Sequence, residues 1–400
     1  MRVLLVSQYF SPEVGATQNR MDSFVAALLE AGHSVTVVCE QPNHPQGVFR
    51  AGYGRRPVVT ERPGGGLTIH RLLVAASPKR SAARRMAFYG TFAAGALAVC
   101  ATLRRHDVVF TSSPPLPGAI GAAWAARIRR VPYVLDVRDL WPAAASALGE
   151  LTNERAIALL SRLERSLYRH AAVVTATTRP FCDHVAAIRS DHRAVHVPNG
   201  ALDAFVARAW PPAPAGRPFV VGYFGNLGIA QGLDIVLEAA TLLGDRARFL
   251  LMGDGPRSEE LRGEVARRRL DNVEIRGQVP LSAVGDHMAA CNALLVPLAA
   301  DAIFAQFVPS KLYDSMAVGR PVLLAATGES ARILAESGAG IAVAPGDGAD
   351  LARAVATLVD DPALAARLGA AGRTAAAPLA RSTQARNLVE VLRAVSGRAA

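Results

Sequence analysis

The sequence predicts an α/β protein made of two doubly wound halves, each with a parallel sheet layered between helices. Short apolar runs alternate with longer amphipathic runs along the whole chain. Most of the short runs are continuously apolar, which is typical of parallel strands that are buried on both faces. The length of 400 residues exceeds one ordinary domain and suits two domains of roughly 200 residues each.

The elements follow one another in strand–helix order, which favours a layered α/β architecture. The strands predicted in the first half are 3–7, 34–39, 67–74, 107–112, 132–137, 172–177 and 194–198. Those predicted in the second half are 219–225, 248–253, 272–277, 293–297, 321–325 and 340–344. The helical patterns between them include 17–31, 116–130, 154–170, 231–243, 257–269 and 349–359.

A domain boundary is predicted at 197–219, where helical periodicity stops and Pro and Gly cluster. We therefore expect one domain at 1–200 and a second at 201–379, with the stretch 380–398 crossing back to pack on the first. In doubly wound sheets a ligand binds beyond the carboxyl ends of the strands. The expected site is a cleft between two such domains that face each other.

Positive charge is concentrated in the first half. Residues 1–200 hold 24 basic and 13 acidic side chains, whereas residues 201–400 hold 20 of each. The range 50–105 contains 11 basic residues and a single acid, Glu61. This range is therefore expected to face an anionic partner or surface.

The segment 77–107 is Ala-rich in its middle and basic at both ends. It is too short and too small-residued to predict a membrane span. It fits either a buried helix of the first domain or a helix that lies on a membrane surface. Because anionic lipids attract arginine and lysine, a peripheral contact with an anionic membrane through residues 50–105 is one expectation, and a merely soluble basic surface is the other.

The compartment can be predicted from the N-terminus and the cysteines. The opening run "MRVLLVSQYF" is apolar only briefly, which indicates a first strand rather than a signal peptide. The four cysteines stand far apart at 39, 100, 182 and 291, which favours buried thiols in a reducing compartment. The expected location is cytoplasmic, with a peripheral position on the inner face of the plasma membrane.

Two glycine-containing turns lead from a predicted strand into a helix. "YFSPEVGATQNRMDSF" (9–24) contains Gly15, and "YFGNLGIAQGLDIVLEAA" (223–240) contains Gly225 and Gly228. Free N–H groups and the helix dipole at such turns favour an anion. Neither turn is GxGxxG or GxxxxGK[ST], so a structural glycine is the simpler explanation of each turn taken alone.

The basic residues number 44, yet only two of them are lysines, Lys79 and Lys311. Lys311 lies in "FVPSKLYDSMAVGRPV" (307–322). This stretch predicts a short helix with Ser310 as its N-cap and Gly319 just past its end. A cation in the first turn opposes the helix dipole, which makes sense if an anion binds there.

Asp314 follows Lys311 by three residues and is expected on the same helix face. A lysine for phosphate and a carboxylate for hydroxyl groups, one helical turn apart, suit a sugar nucleotide. The simpler alternative is a local Lys–Asp pair, which contributes little to stability.

At these motifs the chain resembles the family-4 retaining glycosyltransferases of the GT-B fold, nearly from end to end. The likeness is carried by "VLLVSQYFSPEVGATQNRMDSFVAALLEAGHSVTVV", "VPNG", "GDGPRSEELR" and "PSKLYDSMAVGRPVL". "RDLWP" and "GNLGIAQGLD" are similar to bacterial O-antigen and capsule transferases related to fucosamine transferase. The resemblance implies two Rossmann-like domains facing across a cleft. It also implies sugar transfer with retention, from a nucleotide-sugar (a UDP-sugar by resemblance) to a lipid-linked or glycan acceptor in cell-surface polysaccharide synthesis.

The same resemblance implies that the second domain binds the donor. Gly225 and Asn226 would line the diphosphate and the donor sugar. Ser310 and Lys311 would hold the diphosphate, and Asp314 would bind the ribose hydroxyls.

The nucleotide base would be enclosed by three further residues of the second domain: Gly253, Asp254 and Gly255. On the first domain, the resemblance implies that Gly15 and its neighbours close over the donor. Arg138 and Asp139 would face the reacting sugar there, and together with Lys311 they are the expected catalytic residues.

The chain departs from the family pattern at several charged positions. Asp314 stands where the second Glu of a Glu-x7-Glu signature would be, and Gln306 replaces the first. Asn226 and Gln231 replace two basic residues that often contact the diphosphate, and Arg138 stands where many members have His. These departures concentrate the diphosphate role on Lys311.

In the implied reaction, negative charge builds on the leaving diphosphate, so fixed donors aimed at that charge should supply most of the catalysis. The candidates are Lys311, the N–H groups near Ser310 and the turn at 225–226. No Asp-x-Asp motif occurs, and the three-residue spacing of Asp136 and Asp139 puts them on opposite faces of a strand. The histidines show no metal-ligand spacing. We therefore expect no required metal and no cofactor.

Two other function classes stay open. A sugar-nucleotide 2-epimerase of the same architecture would bind a UDP-sugar but no second substrate. A nucleic-acid-binding protein would explain the pI of about 10.2. Against nucleic acid, aromatic residues do not interleave with the basic run, and the second half has balanced charge. No nucleic-acid partner is expected.

Overall fold

The chain folds into two compact units. The computed structural model describes residues 1–400 apart from 14, 45, 79–80, 148, 150, 190, 192, 217 and 398–400, so Lys79 lies outside the described residues. Unit 1 comprises Met1–Asn199 and the C-terminal segment from Ser382 onward. Unit 2 comprises Gly200–Arg381. The sequence predicted the division at 200/201 and 379/380.

Unit 1 contains one sheet and its flanking helices. The strands are β1 Arg2–Val6, β2 Ser34–Glu40, β3 Val58–Gly64, β4 Leu67–Leu72, β5 Val108–Ser113, β6 Tyr133–Val137, β7 Val173–Ala176 and β8 Ala194–His196. The helices are α1 Ala16–Glu30, α2 Ala82–Thr102, α3 Leu116–Arg129, α4 Ala143–Ala147, α5 Glu154–His170 and α6 Arg179–Ile188.

Unit 2 repeats the strand–helix pattern. Its strands are β9 Phe219–Phe224, β10 Ala247–Met252, β11 Val273–Arg276, β12 Ala293–Pro297, β13 Val322–Ala325 and β14 Gly340–Val343. Its helices are α7 Asp203–Ala207, α8 Asp234–Leu243, α9 Ser258–Arg268, α10 Leu281–Ala289, α11 Ser310–Val318, α12 Gly328–Ser337, α13 Gly348–Asp360 and α14 Pro362–Ala376. Short 3-10 turns occupy Ile229–Gln231, Gly244–Arg246, Ala302–Gln306 and Ala377–Leu379. The final helix, α15, spans Arg381–Ser396.

Both sheets are doubly wound. The strand order in unit 1 is β3-β4-β2-β1-β5-β6-β7-β8, and all of its pairs are parallel except β3 with β4. The order in unit 2 is β11-β10-β9-β12-β13-β14, with parallel pairing throughout. In each sheet the chain order reverses beside the first strand, between β1 and β5 and between β9 and β12. Ligands in such sheets bind at the carboxyl ends of the strands at this reversal.

The prediction of two doubly wound α/β halves is confirmed, and every predicted strand is present. The antiparallel edge strand β3 was not predicted. Its residues are exposed or half-buried, and they include Arg62 and Pro63. A strand with no buried face does not produce the apolar run that marks the others.

The Ala-rich segment 77–107 forms α2, which packs closely on α3. A Cβ on Gly121 of α3 would lie 2.4 Å from the carbonyl oxygen of Ala93, so the small residues allow the two backbones to approach. Phe92 is fully buried at this contact side. The α2 helix therefore belongs to the body of unit 1. Among the described helices, none combines the length and apolar character that a membrane crossing requires.

The last helix completes the core of unit 1. Leu388, Leu392 and Val395 of α15 belong to the same buried cluster as Val3 and Phe24. The start and end of unit 2 are tied together next to this crossing, since the Ala201 N–H donates to Leu379 O at 2.8 Å and the Arg381 N–H to Ala201 O at 2.9 Å.

Candidate functional site

Two glycine turns meet at the carboxyl edge of the unit 2 sheet. The Gly225 N–H, just after β9, donates to Met252 O at 3.0 Å, and the Leu227 N–H donates to Asp254 O at 2.9 Å. A Cβ on Gly253 would lie 1.8 Å from Gly225 O, and Gly253 has a φ of +156°. Only glycine allows the two turns to approach this closely.

The predicted base-pocket residues lie in the second of these turns. Asp254 Oδ1 accepts hydrogen bonds from the Gly255 N–H at 2.8 Å and from Ser258 Oγ at 2.9 Å. These bonds lower the pKa of Asp254, so its carboxylate stays ionised. A Cβ on Gly255 would lie 2.5 Å from Asn226 Oδ1. The structure therefore brings the predicted residues of 225–226 and 253–255 into one cluster.

Lys311 reaches this cluster from α11. Its ammonium donates to Tyr223 Oη at 2.7 Å and lies 4.0 Å from the centre of the Tyr223 ring. A Cβ on Gly225 would lie 2.7 Å from Lys311 Nζ, so the absence of a side chain at Gly225 makes room for the cation. Desolvation by burial lowers the pKa of Lys311 to about 7. No carboxylate of a described residue forms an ion pair with Lys311.

The predicted N-cap of this helix was wrong by one residue. Pro309, in an extended conformation, occupies the N-cap position, and Ser310 is the first residue of α11 without a capping side-chain hydrogen bond. Gly319 ends the helix with a left-handed φ of 73°, as predicted. The start of α11 remains suited to an anion, because the positive end of the helix dipole lies there.

Asp314 forms no ion pair with Lys311, so the alternative of a local Lys–Asp pair is wrong. Its Oδ1 accepts the Leu202 N–H at 2.8 Å, and its Oδ2 lies 3.4 Å from the Arg381 guanidinium. These partners belong to the start and end of unit 2. The role of Asp314 toward a ribose stays a prediction, and its observed role is to fix the two chain crossings.

The corresponding edge of unit 1 carries Arg138. Its guanidinium donates to Ser112 Oγ at 2.8 Å, and also to Thr17 Oγ1 and to Pro114 O. Burial lowers the pKa of Arg138 to about 10, so it stays charged at neutral pH. The β5 end, the α1 start and the β6 end are thereby joined at the reversal of the sheet.

Asp139 follows Arg138, and one of its carboxylate oxygens accepts no hydrogen bond. Its Oδ1 is buried without a hydrogen-bond partner. Burial raises the pKa of Asp139 to about 6, although neighbouring Arg138 opposes the rise. Gly15 precedes α1 and is exposed, and its N–H donates to Gln18 Oε1 at 3.3 Å.

Two buried polar features of unit 1 were not predicted. Arg20 forms a bidentate ion pair with Asp136, with N–O distances of 2.8 and 3.0 Å. Because both Asp136 oxygens contact Arg20, Asp136 does not form a ligand pair with Asp139. Gln8, Glu13 and Glu40 form a second network at the ends of β1 and β2. Polar residues directly after a buried strand, as in "VLLVSQ", were the signal that could have found it. In the described part of the chain, no three His, Cys, Asp or Glu side chains converge as metal ligands.

The fold and the site define a class: an α/β protein with two Rossmann-like domains, in which the second carries a lysine among glycine turns at the sheet reversal. Residues 15–200 match the family model described as a glycosyl transferase 4-like domain. Residues 218–361 match the model described as glycosyl transferases group 1. The chain belongs to the GT4-type glycosyltransferases of the GT-B fold, and the predicted family is thereby confirmed.

Two curated relatives illustrate the similarity. The probable glycosyltransferase WbjE of Pseudomonas aeruginosa is 29 % identical over 276 residues, which cover 63 % of this chain and 66 % of that protein. The putative colanic acid biosynthesis glycosyl transferase WcaI of Escherichia coli is 25 % identical over 348 residues, covering 82 % of this chain and 83 % of that protein.

Solved structures share the fold across the whole chain. Sucrose-phosphate synthase from Thermosynechococcus elongatus is 18 % identical, with a TM-score of 0.76 and coverage of 99 % of both chains. HepE from Anabaena in complex with UDP-glucose is 18 % identical, with a TM-score of 0.70, and the match covers 98 % of this chain and 100 % of that one.

Proposed function

We propose that the protein transfers a sugar from a UDP-sugar to a lipid-linked saccharide acceptor in cell-surface polysaccharide synthesis, with retention of configuration. The observation that carries this proposal is Lys311, a desolvated cation without a carboxylate partner at the sheet reversal of unit 2. A diphosphate bound at the start of α11 would supply the missing negative charge. The absence of a side chain at Gly225 would leave room for it beside Lys311.

The desolvation of Lys311 supports a ligand contact more than a structural one. A buried ammonium is costly unless it is paired, and its observed partner, Tyr223, is a neutral phenol whose pKa is raised by burial. Lysine is a compact point charge suited to phosphate. An anionic ligand at this position would offset the desolvation cost and restore the charge.

The comparisons support the donor and the pathway as proposals. The Anabaena neighbour holds UDP-glucose, and the E. coli relative is named for colanic acid biosynthesis. A UDP-sugar donor and an O-antigen or capsule product agree with both. The similarity of "RDLWP" and "GNLGIAQGLD" to fucosamine transferases points to an N-acetylamino sugar as the transferred group.

In the proposed mechanism, the anomeric C–O bond breaks and the charge that develops on the leaving diphosphate is stabilised by fixed donors. Lys311 Nζ, the positive end of the α11 dipole and Asn226 in the turn at 225–226 supply this stabilisation. No metal or cofactor is required in this scheme, because the ammonium and the backbone dipoles take the place of a cation. The leaving phosphate accepts the proton of the acceptor hydroxyl.

Unit 1 is proposed to hold the acceptor. The buried Asp139 Oδ1 has room in its hydrogen bonding for one donor, and a hydroxyl of the reacting sugar would supply it. Arg138 orients this carboxylate from the neighbouring position and contributes positive charge at the same edge. Their proposed roles are positioning and charge stabilisation rather than strong base catalysis.

We further propose peripheral docking on an anionic membrane through residues 50–105. Arg55, Arg56, Arg62 and Arg84 are exposed there, so they are available to lipid headgroups, whereas Arg71 is buried and pairs with Glu61 at 2.6 Å. Co-sedimentation with phosphatidylglycerol vesicles, and its loss in neutral phosphatidylcholine vesicles or high salt, tests this docking. Equal behaviour in both vesicle types would exclude it.

The donor proposal is tested by calorimetric titration of the protein with UDP, GDP and CDP, beside Lys311→Met. UDP should bind, and the substitution should weaken it at least about 30-fold, because a charge-assisted contact to phosphate is lost. Arg353→Met serves as the control, since Arg353 is exposed on α13 and pairs only with Asp350. Undiminished UDP binding by Lys311→Met would refute the assigned site.

A second experiment, an incubation followed by analysis of the sugar, separates this proposal from the epimerase alternative. Incubation with a UDP-sugar alone should leave the sugar configuration unchanged, and turnover should require a saccharide acceptor. Epimerised UDP-sugar in the absence of any acceptor would favour the alternative.

A further inference from the structure

The described residues contain three buried side-chain oxygens without a hydrogen-bond partner, and all three are acceptors in unit 1. They are Gln8 Oε1, Glu13 Oε2 and Asp139 Oδ1. Asp139 belongs to the candidate site already described. The other two lie in one network at the carboxyl ends of β1 and β2, which the proposed mechanism does not use.

None of the hydrogen bonds within this network reaches either orphaned oxygen. Gln8 Nε2 donates to Glu40 Oε2 at 2.8 Å, and Asn43 Nδ2 donates to Glu40 Oε1 at 2.9 Å. The N–H groups of Asn43 and His44 both donate to Glu13 Oε1, at 3.0 and 2.9 Å. Gln8, Glu13 and Glu40 are 2 %, 4 % and 2 % exposed. What the network lacks is therefore a donor from outside it.

The network also lacks positive charge. Burial raises the pKa of both Glu13 and Glu40, and their mutual repulsion raises that of Glu40 further. Neither carboxyl forms an ion pair with a described residue. Arg50 and Arg71 act on Glu13 only through space, and the Arg71 guanidinium pairs with Glu61 at 2.6 Å. Two carboxyl groups thus share a buried position with no paired cation.

We propose that Gln8, Glu13 and Glu40 form a subsite for a protonated primary amine on the acceptor saccharide. An ammonium group brings three donors, no acceptor and one positive charge, which match the two orphaned oxygens and the unpaired carboxylates. A hydroxyl group fits less well, because it brings a single donor for two orphaned oxygens and no positive charge for the two carboxyl groups. The turn between β1 and α1, where Pro12 and Gly15 are exposed, is the side from which an amine would enter.

The competing occupant is a proton. A proton on Glu13 Oε2 would turn that orphaned acceptor into a donor and remove its negative charge, so no ligand would be needed there. The two alternatives differ in their selectivity: the amine subsite prefers an amino sugar over its hydroxyl counterpart, whereas a shared proton gives no preference.

The test is calorimetric titration of the full chain with methyl glycosides that carry a primary amine at C2, C3, C4 or C6, each beside its hydroxyl counterpart. At least one amino glycoside should bind about tenfold more tightly than its counterpart, as expected for hydrogen bonds to charged groups. In Glu13→Gln, an amide donor replaces Oε2, and the preference should fall below about threefold. An absence of preference at all four positions overturns the proposal, as does a preference that survives Glu13→Gln.

Glu164→Gln is the matched control. Glu164 is also a buried carboxyl of unit 1, on α5, where it accepts from Tyr168 Oη at 2.7 Å, and its substitution should leave the amine preference unchanged. Thermal unfolding of each variant shows whether it is folded, and the preference of the native chain stands as a test without any variant. The inference rests on the proposed function, but UDP binding reports on the donor site separately. If the native chain binds UDP but shows no amine preference, only the subsite is refuted, whereas absent UDP binding refutes the proposed function.

Discussion

The two sheets reverse their chain order in the same way, but the polar groups left unpaired at their carboxyl edges differ. At the edge of unit 2, Lys311 is a desolvated cation beside glycine turns, and no described carboxylate pairs with it. At the edge of unit 1, the unpaired atoms are acceptor oxygens of Gln8, Glu13 and Asp139, while the cation Arg138 is already held by three hydrogen bonds. An anion would complete the edge of unit 2, and hydrogen-bond donors would complete the edge of unit 1.

This difference indicates how one architecture can serve two substrates. The doubly wound sheet fixes where a ligand binds, but the polar groups left unmet at that place decide which chemistry it accepts. An anionic nucleotide diphosphate suits the edge of unit 2, and a hydroxyl- or amine-bearing saccharide suits the edge of unit 1. Changes confined to one edge should therefore affect one substrate and not the other.

The largest effect is expected from Gly253→Ala in unit 2. Its methyl group would lie 1.8 Å from Gly225 O, so the two turns must separate and the position of Lys311 shifts with them. UDP affinity should fall at least about 100-fold, since a clash of this kind costs several kcal/mol. Calorimetry on the folded variant measures the loss, and Gly263→Ala on α9, where a Cβ meets nothing within 4 Å, serves as the control.

Gly15→Ala extends the comparison to unit 1. No atom lies within 4 Å of a Cβ there, and its φ of 169° is extended backbone that alanine adopts. The free energy of unfolding should change by at most about 1 kcal/mol, the cost of a poorer N-cap. Chemical denaturation measures this change, and a destabilisation of several kcal/mol would contradict the view that the turn before α1 is not closely packed.

A smaller effect is expected from Asp139→Asn, which concerns only the acceptor. Turnover should fall about 10- to 100-fold, with UDP affinity unchanged, because the carboxylate lies at the other edge. Since burial raises the pKa of Asp139 to about 6, the ionised form is present above this pH, and kcat/KM for the acceptor should decline as the pH falls through about 6. The acidic decline should disappear in Asp139→Asn. Its persistence there would assign the titration to another group.

The smallest effect is the number of protons that Lys311 takes up when UDP binds. The ammonium has a pKa of about 7 in the free protein, and a bound diphosphate would raise it toward its ordinary value. UDP binding at pH 8.5 should therefore take up close to one proton at that site, and binding at pH 6 almost none, since the lysine is already charged. Calorimetry in buffers of different ionisation enthalpy measures this number. If Lys311→Met takes up the same number of protons on binding UDP, the proton uptake does not come from Lys311.

Local sequence patterns predicted the parts of the fold that are buried on both faces. The central parallel strands, such as β5 and β12, appear as apolar runs, because their neighbours cover them above and below. The edge strand β3 gave no such signal, since Val58–Gly64 is exposed or half-buried and pairs on one side only. What was missed is thus the element whose position depends on a partner rather than on its own composition.

The candidate site was predictable as a set of positions but not as a set of contacts. The turn at 225–226 and Lys311 do come together, as the motif suggested. Helical spacing placed Asp314 beside Lys311, but its partners come from Leu202 and Arg381, which are distant in sequence. The orphaned oxygens of unit 1 could not be predicted, because a missing partner is a property of the packed structure.

The position of α15 has a consequence for biosynthesis. Leu388, Leu392 and Val395 complete the core that also contains Val3 and Phe24, so the part of unit 1 that is translated before unit 2 depends on a helix that is translated after it. Unit 2 has its own residues available earlier, since Gly200–Arg381 is contiguous. The nascent chain therefore carries an unfinished first core while the second can already close, and the domain translated first is the domain completed last.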